Sequence, residues 1–224
     1  MTRVELQGSI AGVGFSSGDR FVVGLWDDGP LGPMTDVMWA RPDGGRVLLV
    51  PRAEVGRFVG GVYRFESTEV VPISVGRPDT DTLQVDAGPV SLTLSLGAQS
   101  ALFRLRPDVL RRSLLWVRVE DALLRPVVGR LLLKGAAGVR AYGRSESGVR
   151  EWYRVDGYRP IRAARGTLQG HSLGALAPLD PPVRFGFSEF PLRPAVVRCS
   201  PVLEGAERFL PSPAQSGATT SLAR

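Results

Sequence analysis

The chain of 224 residues is long enough for one large β-rich domain or two small ones. Its 28 basic and 22 acidic residues give a net charge of +6, and all but one of the basic residues are arginines. These arginines are dispersed along the sequence. Because nucleic-acid-binding proteins concentrate basic residues in a stripe or a known module, the charge pattern argues against a nucleic-acid partner.

Cysteine content and hydropathy narrow the class of protein further. Cys199 is the single cysteine, which excludes an intrachain disulfide and argues against a cysteine-based metal site. The first residues lack an apolar run behind a basic end, so we expect no secretory signal. No run of apolar residues is long enough to cross a membrane. We therefore expect a cytoplasmic protein with no membrane partner, no metal and no cofactor; the sequence leaves its oligomeric state open.

The stretch from Arg20 to Val50 has the clearest strand pattern. Runs of β-branched and aromatic residues are separated by a Gly/Pro turn at 27–33 and by a tight turn at 42–45. Short connections favour antiparallel pairing. The pattern predicts a three-stranded meander with strands at 20–26, 35–41 and 46–50.

The flanking sequence is interpreted in the same way. Residues 3–8 predict a short strand, and Gly8 to Gly18 a loop. Residues 51–59 predict a helical turn that Gly60-Gly61 stops. Further strands are predicted at 62–75 with a break at Pro72, and at 82–86, 90–96, 114–119, 139–145, 149–155, 161–168, 183–187 and 195–202. Short helices are predicted at 107–112 and 173–178.

The strongest helix signal covers residues 121–133. Asp121 is a suitable N-cap, and Pro126 lies near the first turn. Lys134 stands at the negative C-terminal end, and Gly135 supplies a stop. The apolar residues at helical spacing are Leu123, Leu124, Val127, Val128, Leu131 and Leu132.

These elements predict a β-rich α+β fold. About ten strands with one main helix need a sheet that closes or folds double, because open edges are exposed to unwanted pairing. We expect a curved antiparallel sheet that closes into a cone-like barrel, in one domain over 1–210, followed by a disordered tail over 211–224. The residues expected in the core are Phe21, Val23, Val37, Trp39, Leu92, Leu94, Leu123, Val127 and Leu131.

Two isolated polar residues are candidate site residues. Strand alternation places Asp36 and Met38 on the face opposite Val37 and Trp39. Asp36 then either faces water or lines a cavity beside Met38, where an arginine keeps it charged; Arg140, Arg144 and Arg184 are the candidate arginines. His171 is the only histidine, which argues against a histidine triad or zinc site and leaves an ordinary loop residue or a pocket residue as alternatives.

The segment from Arg150 to Arg154 sets two charged pairs around an aromatic pair. One interpretation is a solvated strand face with cross-strand ion pairs. The other is a group of aromatic and charged side chains that converge at a barrel mouth, with Glu151 and Tyr153 in contact with a ligand.

Three stretches resemble the acetoacetate decarboxylase superfamily. The segment 27–45, DDGPLGPMTDVMWARPDGG, is similar to that family's acidic-turn pattern, with Asp36 where the family has a site glutamate. Gly129-Arg130 followed by Lys134 resembles the family's Gly-Arg-Glu and its Schiff-base lysine, and 175–183 resembles a junction near the family's C-terminus. Leu131 replaces the glutamate, and Gly135 replaces the second lysine of the pair.

The resemblance implies a cone-like barrel that binds a small apolar or keto-acid-like molecule, with Lys134 as the catalytic residue and Arg130 near the ligand. Family decarboxylases use a second cation to lower the pKa of the nucleophilic lysine. Because that second lysine is missing here, the alternative is a non-enzymatic carrier or interaction module that kept the fold and lost the chemistry.

Overall fold

A computed structural model describes residues 2–100 and 139–212. These residues form fourteen strands, one α-helix and a short 3-10 turn at Glu207–Phe209. The helix α1 spans Ala53–Val62. The strands are β1 Arg3–Glu5, β2 Gln7–Phe15, β3 Arg20–Asp28, β4 Met34–Ala40, β5 Arg46–Val50, β6 Ser67–Val70, β7 Ile73–Asp79, β8 Thr82–Ala87, β9 Val90–Leu96, β10 Tyr142–Arg144, β11 Arg150–Leu168, β12 His171–Ser172, β13 Leu176–Ala177 and β14 Ala195–Glu204.

All fourteen strands belong to one sheet, which curls into a half-barrel. Its strand order is β6-β5-β4-β3-β2-β14-β11-β9-β8-β7, with β1, β10, β12 and β13 paired beside this path. Only Val71 and Pro72 separate β6 from β7, so the two ends of the path are joined by a two-residue link. The expected curved, β-rich sheet is confirmed. The pairing is antiparallel except between β5 and β6, which run parallel because α1 connects them.

Each face of the sheet carries its own apolar core. The larger core includes Val37 and Trp39, and it receives alternate residues from the central strands and from β8 and β9. The six expected core residues that the structure describes are all buried: Phe21, Val23, Val37, Trp39, Leu92 and Leu94. The other three, Leu123, Val127 and Leu131, lie outside the described residues, as does the expected main helix at 121–133.

The second core lies between the opposite face and α1. The helix buries Val55, Phe58, Val59 and Val62 at helical spacing. Gly56 allows a close approach to the sheet, because a Cβ there would lie 3.0 Å from Cγ2 of Thr68. The expected helical turn at 51–59 is thus a full helix that continues through Gly60-Gly61, two residues that were expected to stop it.

Three sequence-based predictions were wrong. Gly8 to Gly18 was expected to be a loop, but most of it lies in β2. The helix expected at 173–178 is absent there, where the chain has bends and the short strand β13. The strand expected at 183–187 is reduced to one bridge between Arg184 and Glu189. Among the described residues, no helix has the length and hydropathy needed to span a bilayer.

Candidate functional site

The second core contains a buried carboxyl group between two phenols. Glu151 lies on β11 and is fully buried, with Gly143 of β10 and Leu203 of β14 as its strand neighbours. The Tyr63 hydroxyl donates to Oε2 of Glu151 at 2.7 Å, and the Tyr153 hydroxyl lies 3.3 Å from the same oxygen. The two phenol oxygens also hydrogen-bond to each other. We call Glu151, Tyr63 and Tyr153 the acid–phenol cluster.

Burial controls the protonation of this cluster. It raises the pKa of Glu151 from 4.5 to about 8, although the two phenol hydrogen bonds act in the opposite direction. Burial also raises the pKa of Tyr63 and Tyr153 well above the ordinary phenol value, and the Glu151 carboxylate adds to this shift. At neutral pH the cluster is therefore mainly one carboxylic acid and two neutral phenols. Oε1 of Glu151 has no hydrogen-bond partner among the described residues.

Apolar side chains shield the cluster. The ring centroid of Phe187 lies 6.1 Å from that of Tyr153. Gly143 makes room for Phe187, because a Cβ at that position would come within 2.1 Å of the phenylalanine ring. The thiol of Cys199 is buried in the same core, and burial raises its pKa, so it stays protonated.

Tyr63 also lines a cleft of about 380 Å³ at the C-terminal end of α1. The cleft, which we call the α1 cleft, is bordered by Gly60, Gly61, Val62, Tyr63, Arg64, Phe65, Glu146, Ser147, Phe185 and Gly186. Phe65 and Phe185 stack with centroids 5.3 Å apart. Arg64 and Glu146 form an exposed ion pair at 3.5 Å. The cleft thus combines aromatic rings with polar groups of both charges.

Three contacts hold the borders of the α1 cleft together. The Arg64 N–H donates to the Phe185 carbonyl at 3.1 Å. The Ser147 hydroxyl donates to the Val62 carbonyl at 3.3 Å. Gly186 lies directly against Tyr63, since a Cβ there would be 2.5 Å from the tyrosine ring.

Asp36 lies in β4 and does not border the α1 cleft. Its side chain is fully buried, and Nε1 of Trp26 donates to Oδ1 at 2.9 Å. Burial raises the pKa of Asp36 to about 6, and the Trp26 hydrogen bond only partly offsets this effect. Oδ2 has no partner among the described residues.

The expected arginine beside Asp36 was wrong for the described part of the chain. Arg140, Arg144 and Arg184 are exposed, and Arg184 donates to the Gly186 carbonyl. The strand-alternation prediction did hold, because Asp36 faces away from the core that contains Val37 and Trp39.

The other predicted site residues are dispersed. Met38 packs against the second core but does not border the α1 cleft. His171 is exposed on β12 and is also absent from the cleft border. Arg130 and Lys134 lie outside the described residues. The structure therefore brings together two of the predicted residues, Glu151 and Tyr153.

Tyr63 is the member of the acid–phenol cluster that the sequence did not indicate. It lies 88 positions from Glu151 in the chain, and such a distant pair leaves no periodic signal. The described residues contain no cluster of potential metal ligands. Comparison with protein-family models, curated proteins and solved structures finds no significant match to this chain.

Proposed function

We propose that this protein binds a small molecule in the α1 cleft. The observation that carries the proposal is the double role of Tyr63, which borders the cleft and hydrogen-bonds to the buried Glu151. A side chain held in this way keeps its position before a ligand arrives, so less conformational entropy is lost on binding. The cleft volume of about 380 Å³ suits a molecule of modest size.

The proposal also covers the cellular compartment and the partners of the protein. We place it in the cytoplasm and give it no nucleic-acid partner, on the grounds of its single cysteine and dispersed arginines. Among the described residues, the stacked Phe65 and Phe185 favour a ligand with an apolar part. The resemblance to acetoacetate decarboxylases implies an apolar or keto-acid-like ligand.

A blocked cleft tests the proposal. We expect ligand-observed NMR with a panel of small apolar, amine and keto-acid compounds to detect binders. Ser147→Trp, at the cleft border, should abolish their binding because the indole fills the cleft. Thr80→Trp, in an exposed turn away from the cleft border, is the matched control and should bind like the parent. The proposal fails if no compound binds, or if both variants bind alike while remaining folded by circular dichroism.

The resemblance to acetoacetate decarboxylases adds a catalytic form of this hypothesis. In that form the Lys134 amine condenses with the carbonyl of a β-keto acid, loses water and forms an imine that borohydride reduces to a stable amine. Because Lys134 is the only lysine in the sequence, mass spectrometry of peptides can locate the adduct. We expect a trapped adduct in the parent and none at that position in Lys134→Arg.

The absence of an adduct across a panel of β-keto acids would support the carrier alternative. In that case Lys134→Ala should leave both ligand binding and stability nearly unchanged. A loss of binding in Lys134→Ala would contradict the carrier alternative.

A further inference from the structure

Two carbonyl groups at the border of the α1 cleft receive no hydrogen bond from the described residues. The helix ends at Val62, where the Tyr63 N–H donates to the Val59 carbonyl at 2.9 Å. A continuing helix would direct the Arg64 N–H to the Gly60 carbonyl, but this N–H donates to Phe185 instead. Within the described part of the chain, the carbonyls of Gly60 and Gly61 receive no hydrogen bond. Both residues border the cleft, so these acceptors are available to a ligand that carries N–H donors.

The C-terminal end of α1 favours the same kind of ligand. The C-terminal end of a helix carries a partial negative charge, and α1 has no basic residue in its last turn. Glu146 adds a carboxylate whose side chain is 81% exposed. Arg64 is the positive group on the border, but its head group is already paired with Glu146. These two side-chain charges offset each other, and the Arg208 guanidinium, which donates to the carbonyl of the border residue Ser147, is a further cation beside the cleft. The helix end and its open carbonyls, and not the net charge of the border, therefore favour a ligand with N–H donors.

The remaining surface suits an apolar or aromatic body. Phe65 and Phe185 stack on each other beside the ring of Tyr63, and all three border the cleft. Aromatic rings attract cations through their negative faces and also bury apolar groups. A molecule with an ammonium head and a short apolar body would match both parts of the cleft.

We infer that the ligand of the α1 cleft is a small organic amine, bound as its ammonium form. This inference rests on the proposed function and names the chemical class of its ligand. The ammonium group supplies three N–H donors to the open carbonyls of Gly60 and Gly61 and to the Glu146 carboxylate. The apolar body packs against Phe65 and Phe185. An anionic ligand would instead approach the negative helix end.

Three probes of similar size separate the charge of the head group from the fit of the body. They are 2-phenylethylamine, which is cationic, 2-phenylethanol, which is neutral, and 3-phenylpropanoate, which is anionic. We measure the dissociation constant of each by NMR titration against the parent protein, Glu146→Gln and Arg64→Gln.

We expect the amine to bind most tightly. Glu146→Gln should lower the amine-to-alcohol affinity ratio by about threefold, the effect of one exposed charge. Arg64→Gln should tighten amine binding, because it removes a nearby cation and releases Glu146 from its ion pair. Ser147→Trp, as in the test above, establishes that each probe occupies the α1 cleft.

The failures of the two proposals are distinct. If the alcohol binds as well as the amine and Glu146→Gln leaves the ratio unchanged, the amine inference is overturned while binding in the cleft stands. If the propanoate binds most tightly and Arg64→Gln weakens it, the ligand is an anion and the inference is likewise overturned. If no probe shows binding that Ser147→Trp abolishes, neither the inference nor the proposed function stands.

Discussion

The Asp36 side chain fits inside the second core because the residue opposite it has no side chain. Gly24 of β3 is the cross-strand partner of Asp36. A Cβ on Gly24 would lie 2.4 Å from Oδ1 of Asp36 and 2.6 Å from Nε1 of Trp26. The glycine therefore leaves space for the hydrogen bond between the indole and the carboxyl group.

A matched pair of alanine substitutions tests this role of Gly24. We expect Gly24→Ala to destabilise the protein by ~1–3 kcal/mol, because the added methyl group overlaps the Asp36 and Trp26 side chains. Gly60→Ala should stabilise it by ~0.5–1 kcal/mol, since its nearest neighbours would be 3.9 Å away and alanine favours the helix. Urea denaturation measures both changes. A Gly24→Ala protein as stable as the parent would contradict this account.

The acid–phenol cluster shows which of its residues a sequence pattern can predict and which it cannot. Glu151 and Tyr153 share a strand face because they are two positions apart, and the sequence identified both as candidates. Their partner Tyr63 follows α1 and reaches them through the tertiary fold. The expected arginine beside Asp36 was wrong because an indole N–H serves as the polar partner. An indole N–H is a donor without charge, which a search for ion pairs does not find.

At the scale of elements, β2 illustrates why glycine content misleads. Gly12 and Gly14 suggested a loop, but they lie in a central strand. A Cβ on Gly12 would come within 2.2 Å of the Phe190 ring, and one on Gly14 within 2.4 Å of the Pro178 carbonyl. These glycines permit the chain after β13 to pack closely on the sheet. Strands with a regular apolar alternation, such as β9, were predicted correctly because no such contact interrupts the pattern.

The long strand β11 combines two segments that the sequence separates. Strands were expected at 149–155 and 161–168, and both lie in β11 apart from Val149. The first part pairs with β14, and the last part pairs with β9. A register shift between Val155 and Gly157 marks an irregularity in the pairing with β14. Because β11 joins these two parts of the sheet, one strand connects the acid–phenol cluster to the larger core.

At the scale of the whole molecule, the curled sheet has to cover both of its faces. The two apolar cores achieve this, and the second core contains the two fully buried carboxyl groups, Asp36 and Glu151. Asp36 and Glu151 each have one carboxyl oxygen without a partner among the described residues. Burial of an ionised carboxylate under these conditions is costly, so burial shifts both groups towards the protonated form.

The stability of the protein should consequently fall as pH rises. In the unfolded chain, Asp36 and Glu151 titrate near 3.8 and 4.5, whereas in the folded chain their pKa values are about 6 and about 8. Between these values the folded protein holds protons that the unfolded chain has released. Raising the pH therefore favours unfolding. The stabilising contribution is complete below about pH 4 and is lost by about pH 8, with a slope of at most ~1.4 kcal/mol per pH unit for each proton.

Two isosteric variants assign this pH dependence to its groups. We expect urea denaturation of the parent to give a lower free energy of unfolding at pH 8 than at pH 5. Glu151→Gln should remove most of the slope between pH 7 and pH 8, where Asp36 is already largely ionised. Asp36→Asn should reduce the slope between pH 4 and pH 7 and leave the slope above pH 7 in place. Comparing slopes within each variant separates the titration from any constant effect of the new amide group. Two results would show that Glu151 is not the neutral acid at the centre of the acid–phenol cluster. One is a parent protein that is equally stable at pH 5 and pH 8, and the other is a Glu151→Gln variant that keeps the parent's slope above pH 7.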